Sequence, residues 1–206
     1  MKLLNNLFSF VMYTSQKYRI DESHGLSHSM NVLHFAKNLF EIEKHNYKDL
    51  QQQERIVYVS AIIHDMCDKK YMDEKEGLES IQNFLCEKIP TEEIHIVKEI
   101  LTTMSYSKVQ KNGYPELNKY QIAYHIVRES DLLSAYDFDR AMIYSMNVDG
   151  SNAVKAFLDT ENLFKTRMFK HIDDDLFVTK TGIKKAKELE AIAIERMNHW
   201  EQILRF

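Results

Sequence analysis

Apolar residues recur at helical spacing along almost the whole chain, and few helix-ending residues interrupt them. The 206 residues include only five glycines and two prolines, which is too few for the many tight turns of a β-rich fold. Hydrophobic residues make up 44% of the chain, which is enough apolar material for a sizeable core. The sequence therefore predicts an all-α fold, and its length fits a single domain.

The expected central helix is about Gln53–Met66, because this segment is apolar nearly all round. The helix before it, about Ser27–Lys44, places Val32 and Phe35 on the same face as His28. We expect one helical bundle over residues 1–206, with core motifs at about 18–135 and C-terminal helices at about 139–205 packing on them. The remaining helices are expected at about Glu76–Lys88, Glu92–Thr103, Lys119–Ala135, Asp139–Met146, Asn152–Phe169 and Thr181–Leu204.

Charge and cysteine content narrow the functional classes. A net charge of −4 argues against a surface that coats nucleic acid or binds an anionic membrane. Cys67 and Cys86 form no CxxC pair, which indicates a reducing compartment. The apolar run Leu3–Tyr13 has no small-residue cleavage site and is interpreted as a docking helix, and no segment has the length of a membrane-spanning helix. We expect a cytoplasmic monomer or homodimer without nucleic-acid or membrane partners.

The pair His64–Asp65 follows the apolar run Ile56–Ile63, where the central helix is expected to end. Burying an imidazole and a carboxylate is unfavourable unless something pairs with them. A cation bound by both side chains is one solution, and a hydrogen bond between them is the other. Two further residues of metal-ligand type, His28 and Asp131, lie on separate predicted helices.

Together, His28, His64, Asp65 and Asp131 form a candidate ligand set for one divalent ion. Two imidazoles and two carboxylates suit an ion with octahedral preferences, such as Mn, Fe, Co, Ni or Mg. The set lacks cysteine and matches structural zinc less well. Four protein ligands leave two positions for water and substrate, which is the arrangement of a hydrolytic site.

Three segments around these residues are similar to a known family. They are residues 21–28 (DESHGLSH), residues 61–71 (AIIHDMCDKKY) and residues 129–135 (ESDLLSA). In this order they resemble the ligand segments of the HD-domain superfamily of metal-dependent phosphohydrolases. The resemblance covers about residues 18–200 and is closest to the small single-domain branch, some of whose members act on nucleoside triphosphates or related pyrophosphates.

The resemblance implies that the four ligands hold the metal and that a metal-activated water cleaves a phosphoester or phosphoanhydride bond of a nucleotide-like molecule. Asp68 would orient or deprotonate this water or protonate the leaving group, and His24 would do similar work or contact phosphate. The structural alternatives are that Asp68 ends the helix and that His24 is a loop histidine.

The substrate residues implied by the resemblance are of two kinds. Lys69 and Lys70 would neutralise phosphate charge, although last-turn lysines also favour the helix dipole. Arg167 and Lys170 would contact the phosphate tail. Outside the resembling segments, Ser105 and Tyr106 are further candidates, which would line the pocket as hydroxyl donors. Where relatives often carry a basic residue after the third aspartate, this chain has Leu132, so the substrate is less defined than the metal site.

Three functions fit the sequence. The first is a nucleoside triphosphate pyrophosphohydrolase, which releases pyrophosphate. The second is a nucleotide 5′-monophosphatase, which releases phosphate. The third is a non-catalytic HD module that binds a nucleotide and regulates another process. We expect catalysis, because the chain retains all four ligands and Asp68.

Overall fold

The structure is a computed structural model that describes residues 2–150 and 152–205. Within these ranges every regular element is a helix, so the all-α prediction is confirmed. Short 3₁₀ helices lie at Lys48–Gln52, Asn118–Tyr120 and Met168–Lys170. The α-helices are α1 (Lys2–Tyr18), α2 (Leu26–Glu43), α3 (Glu54–Ile63), α4 (Glu74–Leu85), α5 (Thr91–Thr103), α6 (Tyr106–Asn112), α7 (Gln121–Ser134), α8 (Phe138–Asp149), α9 (Ala153–Thr166) and α10 (Lys180–Leu204).

The contacts between Cα atoms divide the described chain into two units, between Ser130 and Asp131. The division falls inside α7, so the first unit contains α1–α6 and most of α7, and the second contains the rest. The single-domain arrangement over residues 1–206 stays a prediction. None of the described helices is long and apolar enough to cross a membrane.

In the first unit, α3 is the central helix. It packs against α1, α2 and α5, and its Val57, Ala61 and Ile62 have no exposed surface. Val32 of α2 and Val97 of α5 are equally buried. A helix that is apolar nearly all round can bury all its faces only when other helices surround it, as the sequence predicted.

Helix α3 ends at Ile63, three residues before the predicted Met66. The chain then forms turns, in which the Met66 N–H donates to the Ile63 carbonyl at 3.0 Å and the Asp68 N–H donates to the Asp65 carbonyl at 3.2 Å. Because these bonds join residues three apart, the chain no longer follows α-helical periodicity. Asp68 therefore does not continue the helical face of His64.

Helix α4 packs closely on this turn. A Cβ atom on the buried Gly77 would lie 2.7 Å from both the Cα and the Cβ of Cys67. Cys67 is buried and burial raises the pKa of its thiol to about 12, whereas Cys86, just after α4, is exposed. The absence of a side chain at residue 77 lets the helix approach the turn that follows His64 and Asp65.

The second unit is built around an aromatic core. The ring centres of Phe138 and Phe164 lie 5.1 Å apart in an edge-to-face arrangement, and Met197 of α10 belongs to the same buried cluster. The Asp139 carboxylate accepts a 2.7 Å hydrogen bond from the Trp200 indole N–H. It also accepts hydrogen bonds of 2.8 and 2.9 Å from the Arg196 guanidinium.

The sequence did not predict α6. Its seven residues have only Val109 buried, and they carry too short an apolar pattern to show a helical period. Lys111 and Asn112 lie in the last turn of α6. Gly113 follows with a φ of 74°, which glycine adopts without steric cost.

Candidate metal centre

Two segments of the first unit position three of the four predicted metal ligands. His28 lies in the first turn of α2, and His64 and Asp65 follow the last residue of α3. Both histidines are buried and Asp65 is nearly so. Because α2 packs against α3, a side chain in the first turn of one helix reaches the end of the other.

Three ligand atoms converge at this point. His28 Nε2 and His64 Nε2 lie 3.0 Å apart, and Asp65 Oδ2 lies 3.2 Å from each of them. Among the described residues this is the cluster of histidine and acidic side chains close enough to hold one metal ion. The remaining nitrogen of His64, Nδ1, lies 3.0 Å from the Ala61 carbonyl. Since a carbonyl only accepts, Nδ1 carries a proton, so Nε2 is the nitrogen that can offer a lone pair to an ion.

The Asp65 carboxylate is held in its charged form. Burial alone raises the pKa of this carboxyl, but the charge of His64 and the close approach of both imidazoles lower it below its ordinary value. Although two nitrogens are near, Oδ2 is buried without a well-aligned hydrogen bond. A buried carboxylate needs a positive partner, which here is either a protonated imidazole or a bound cation.

The spacing of the three atoms fits an octahedral ion. Ligand atoms 3.0–3.2 Å apart that each lie about 2.1 Å from one ion subtend angles of about 90–100° at that ion. Angles of this size suit one triangular face of an octahedral site. Two imidazoles and a carboxylate are donors that the predicted ions Mn, Fe, Co, Ni and Mg accept, and the identity of the ion stays a prediction.

The fourth predicted ligand, Asp131, is partly buried on α7 and is the first residue of the second unit. Arg167 and Lys170, which were predicted to contact a phosphate tail, are exposed residues of the same unit. The roles of these three residues stay predictions.

His24 lies beside the cluster. Its ring centre is 5.9 Å from that of His28 and 5.6 Å from that of Tyr71. Burial lowers the pKa of His24, and the charge of Lys70 lowers it further, while Asp65 opposes both effects. His24 thus lies close to the metal ligands, and its proton-transfer role stays a prediction.

The two predicted lysines and Asp68 lie on the turn after the cluster. Lys69 and Lys70 are exposed, and the Lys70 backbone N–H donates to Asp68 Oδ1 at 2.9 Å. This bond orients the Asp68 carboxylate within its own turn, as a capping role would. Asp68 is not part of the three-atom cluster, and its catalytic role stays a prediction.

Ser105 and Tyr106 open helix α6. Ser105 is exposed and precedes the first helical residue. The Tyr106 hydroxyl lies 2.7 Å from Gln110 Nε2 and accepts a hydrogen bond from it. The role of both hydroxyls in a substrate pocket stays a prediction.

Sequence reasoning missed Asp21 and Tyr71. The Tyr71 hydroxyl donates to Asp21 Oδ2 at 2.6 Å and lies 3.1 Å from His24 Nδ1. Asp21 precedes His24 by one turn, but Tyr71 is 50 residues away from Asp21. Both residues lie within segments that resemble the HD superfamily, and this was the available signal.

No family model and no curated protein matches the chain. Among solved structures, the chain is similar to a crystal structure of a structural-genomics target protein from Lactobacillus plantarum. The TM-score is 0.69 at 18% sequence identity, over 98% of this chain and 96% of the other. At this identity the likeness shows a common fold and nothing about activity.

Proposed function

We propose that this protein is a metal-dependent phosphohydrolase of the HD type that acts on a nucleotide-like substrate. The observation that carries the proposal is the convergence of His28 Nε2, His64 Nε2 and Asp65 Oδ2 within 3.0–3.2 Å. These atoms come from two chain segments and present lone pairs or negative charge to one point. The HD resemblance then assigns phosphate chemistry to the site.

A divalent ion bound by these three side chains would supply positive charge to a phosphoryl oxygen and lower the pKa of a nearby water. The predicted fourth ligand is Asp131. The site's own residues provide the remaining functions. His24 and Asp68 are the proton-transfer groups, and Lys70 provides positive charge beside His24.

The alternatives keep the same ligands and differ in reaction. A 5′-monophosphatase would use the site to release phosphate, and a regulatory module would bind nucleotide without turnover. We favour catalysis, because the chain retains all four predicted ligands and Asp68, whereas non-catalytic modules of this type usually lose a ligand.

Metal binding is the first test. The metal-free chain is titrated with Mn²⁺ in a calorimeter, and one ion per chain is expected. Asp65→Asn removes the charge from the cluster, so binding is expected to weaken about tenfold or more. Asp49→Asn, at an exposed aspartate, is the matched control. Equal affinity of wild type and Asp65→Asn would contradict the metal centre.

Activity is the second test. The metal-free protein receives Mn, Mg, Co, Ni or Fe in turn, and the products of a nucleotide panel are separated by chromatography. Pyrophosphate from triphosphates is the expected product, whereas phosphate from monophosphates would support the alternative enzyme. Asp68→Ala is expected to keep the metal and lose turnover. Nucleotide binding without turnover under all five metals would contradict catalysis and support the regulatory module.

A further inference from the structure

Three residues, Asp21, Ser23 and Tyr71, form a hydrogen-bonded group around one nitrogen of His24. The hydroxyls of Ser23 and Tyr71 lie 2.7 Å and 3.1 Å from His24 Nδ1. Both hydroxyls also contact Asp21, Ser23 through Oδ1 and Tyr71 through Oδ2 at 2.6 Å. Each contact between two oxygens requires a proton between them, which decides where the protons of the group lie.

Asp21 can only accept hydrogen bonds. Burial alone raises the pKa of its carboxyl, but the bonds from Ser23 and Tyr71 lower this pKa to about 2. The backbone N–H of Ser23 also donates to Oδ1, at 2.9 Å. Since the charged carboxylate has no proton, the hydrogens of the two hydroxyls must both point to Asp21.

The hydroxyl oxygens therefore face His24 with lone pairs. Each hydroxyl has a single hydrogen, and both are used by Asp21. If His24 Nδ1 were unprotonated, it would face only lone pairs. If one hydroxyl turned to donate to Nδ1 instead, its oxygen would contact the Asp21 carboxylate with no proton between the two oxygens. Tyr71 also accepts from Lys70, which is a donor without acceptor capacity. Every contact is satisfied only when Nδ1 carries the proton.

We propose that Asp21, acting through Ser23 and Tyr71, holds His24 as the tautomer protonated at Nδ1, which makes its Nε2 the proton acceptor of the proposed hydrolysis. The inference rests on the proposed function for its catalytic part. Asp21 and Tyr71 are positioning residues, and His24 is the residue that moves the proton.

The attacking water gives one proton to His24 Nε2 while its oxygen forms a bond to phosphorus, and the bond from phosphorus to the leaving oxygen breaks with its electron pair going to that oxygen. The resulting imidazolium still donates from Nδ1 to the hydroxyls. Its charge lies near Asp21, whose Oδ1 is 3.9 Å from Nδ1, so the carboxylate stabilises it.

Nitrogen-15 NMR tests the tautomer without any reaction. The full chain, metal-free and labelled at histidine, is measured by long-range proton–nitrogen correlation near pH 8, and His24→Gln identifies the His24 signals. We expect Nδ1 to appear as a protonated, pyrrole-type nitrogen and Nε2 as an unprotonated, pyridine-type nitrogen. The opposite assignment, or an even mixture of tautomers, would overturn the inference.

Variants test the positioning role. Tyr71→Phe removes one hydroxyl and Asp21→Asn removes the obligate acceptor, so both are expected to shift His24 towards a mixture of tautomers. Tyr13→Phe, at a tyrosine that is 66% exposed, and Asp49→Asn are the controls and should leave the signals unchanged. An unaltered His24 tautomer in both Tyr71→Phe and Asp21→Asn would refute the role of Asp21.

Kinetics separate this inference from the proposed function. If the wild type is active, Tyr71→Phe is expected to lower kcat about tenfold or more and to leave KM nearly unchanged. A raised KM with unchanged kcat would refute the positioning role. An inactive wild type with the expected tautomer would refute the phosphohydrolase alone, and an active wild type protonated at Nε2 would refute this inference alone.

Discussion

The close approach of α4 to the metal-ligand turn makes Gly77→Ala an informative substitution. The added Cβ would lie 2.7 Å from Cys67 Cα and Cβ and 3.0 Å from the Met72 sulfur. Ordinary contacts between carbon atoms begin at about 3.5 Å, so α4 and the turn at Cys67 must separate by several tenths of an ångström. The Met72 side chain can rotate away, but the Cα of Cys67 can move only with its backbone.

Two opposing effects set the size of the change. Overpacking of a close contact costs about 1–3 kcal/mol. Alanine is about 1 kcal/mol more favourable than glycine inside a helix. We therefore expect Gly77→Ala to lower the free energy of unfolding by about 1 kcal/mol. Cys67 is two residues from Asp65, so the same displacement should weaken Mn²⁺ binding by about tenfold.

Urea unfolding and Mn²⁺ calorimetry measure the two effects on the same preparation. Glu79→Ala is the matched control, because residue 79 is exposed on the same helix and the change there should be within about 0.5 kcal/mol. A Gly77→Ala variant that is more stable than the wild type and binds Mn²⁺ equally well would refute the reasoning, since the turn would then yield without cost.

Three further predictions concern acid, metal removal and the second unit. The pKa values of Asp21 and Asp65 are lowered in the folded chain, so the stabilisation by these carboxylates is present above about pH 4 and is lost as the pH falls towards 2. The urea unfolding midpoint should therefore be lower at pH 3 than at pH 6. Asp21→Asn should reduce this loss of unfolding free energy by about 1 kcal/mol after allowance for solvent screening. A chelator added at a metal concentration of about 100 times the wild-type Kd should lower stability by about 2.7 kcal/mol in the wild type, and by about 1.4 kcal/mol or less in Asp65→Asn, whose Kd is expected to be about tenfold or more higher. Asp139→Ala removes the acceptor of Arg196 and Trp200 and should cost about 1–2 kcal/mol, with a red-shifted emission from the single tryptophan.

The helices were predictable where apolar residues repeat over several turns. The segment predicted as Ser27–Lys44 is observed as Leu26–Glu43, and the predicted Glu92–Thr103 is observed as Thr91–Thr103. The end of α3 was less predictable, because apolar Met66 continues the hydrophobic pattern although the backbone has already turned. Periodicity reports burial and does not distinguish a buried helix from a buried turn.

For the site, residue type and spacing led to His28, His64 and Asp65, which the fold brings together. The group around His24 was not predictable in the same way. Tyr71 is polar and partly exposed, and its contact with Asp21 joins distant parts of the chain. Such pairings depend on tertiary packing, which a pattern of neighbouring residues cannot report.

The two cysteines give the molecule a built-in chemical reporter. Cys86 is exposed, whereas Cys67 is buried with its thiol pKa raised to about 12, so a maleimide should modify Cys86 within minutes and spare Cys67. Cys67 becomes reactive only when the turn between His64 and α4 opens. In a Cys86→Ser chain, the slow labelling rate of Cys67 would therefore measure how often the ligand turn opens, and its slowing by added ions would reveal which metals hold the turn closed.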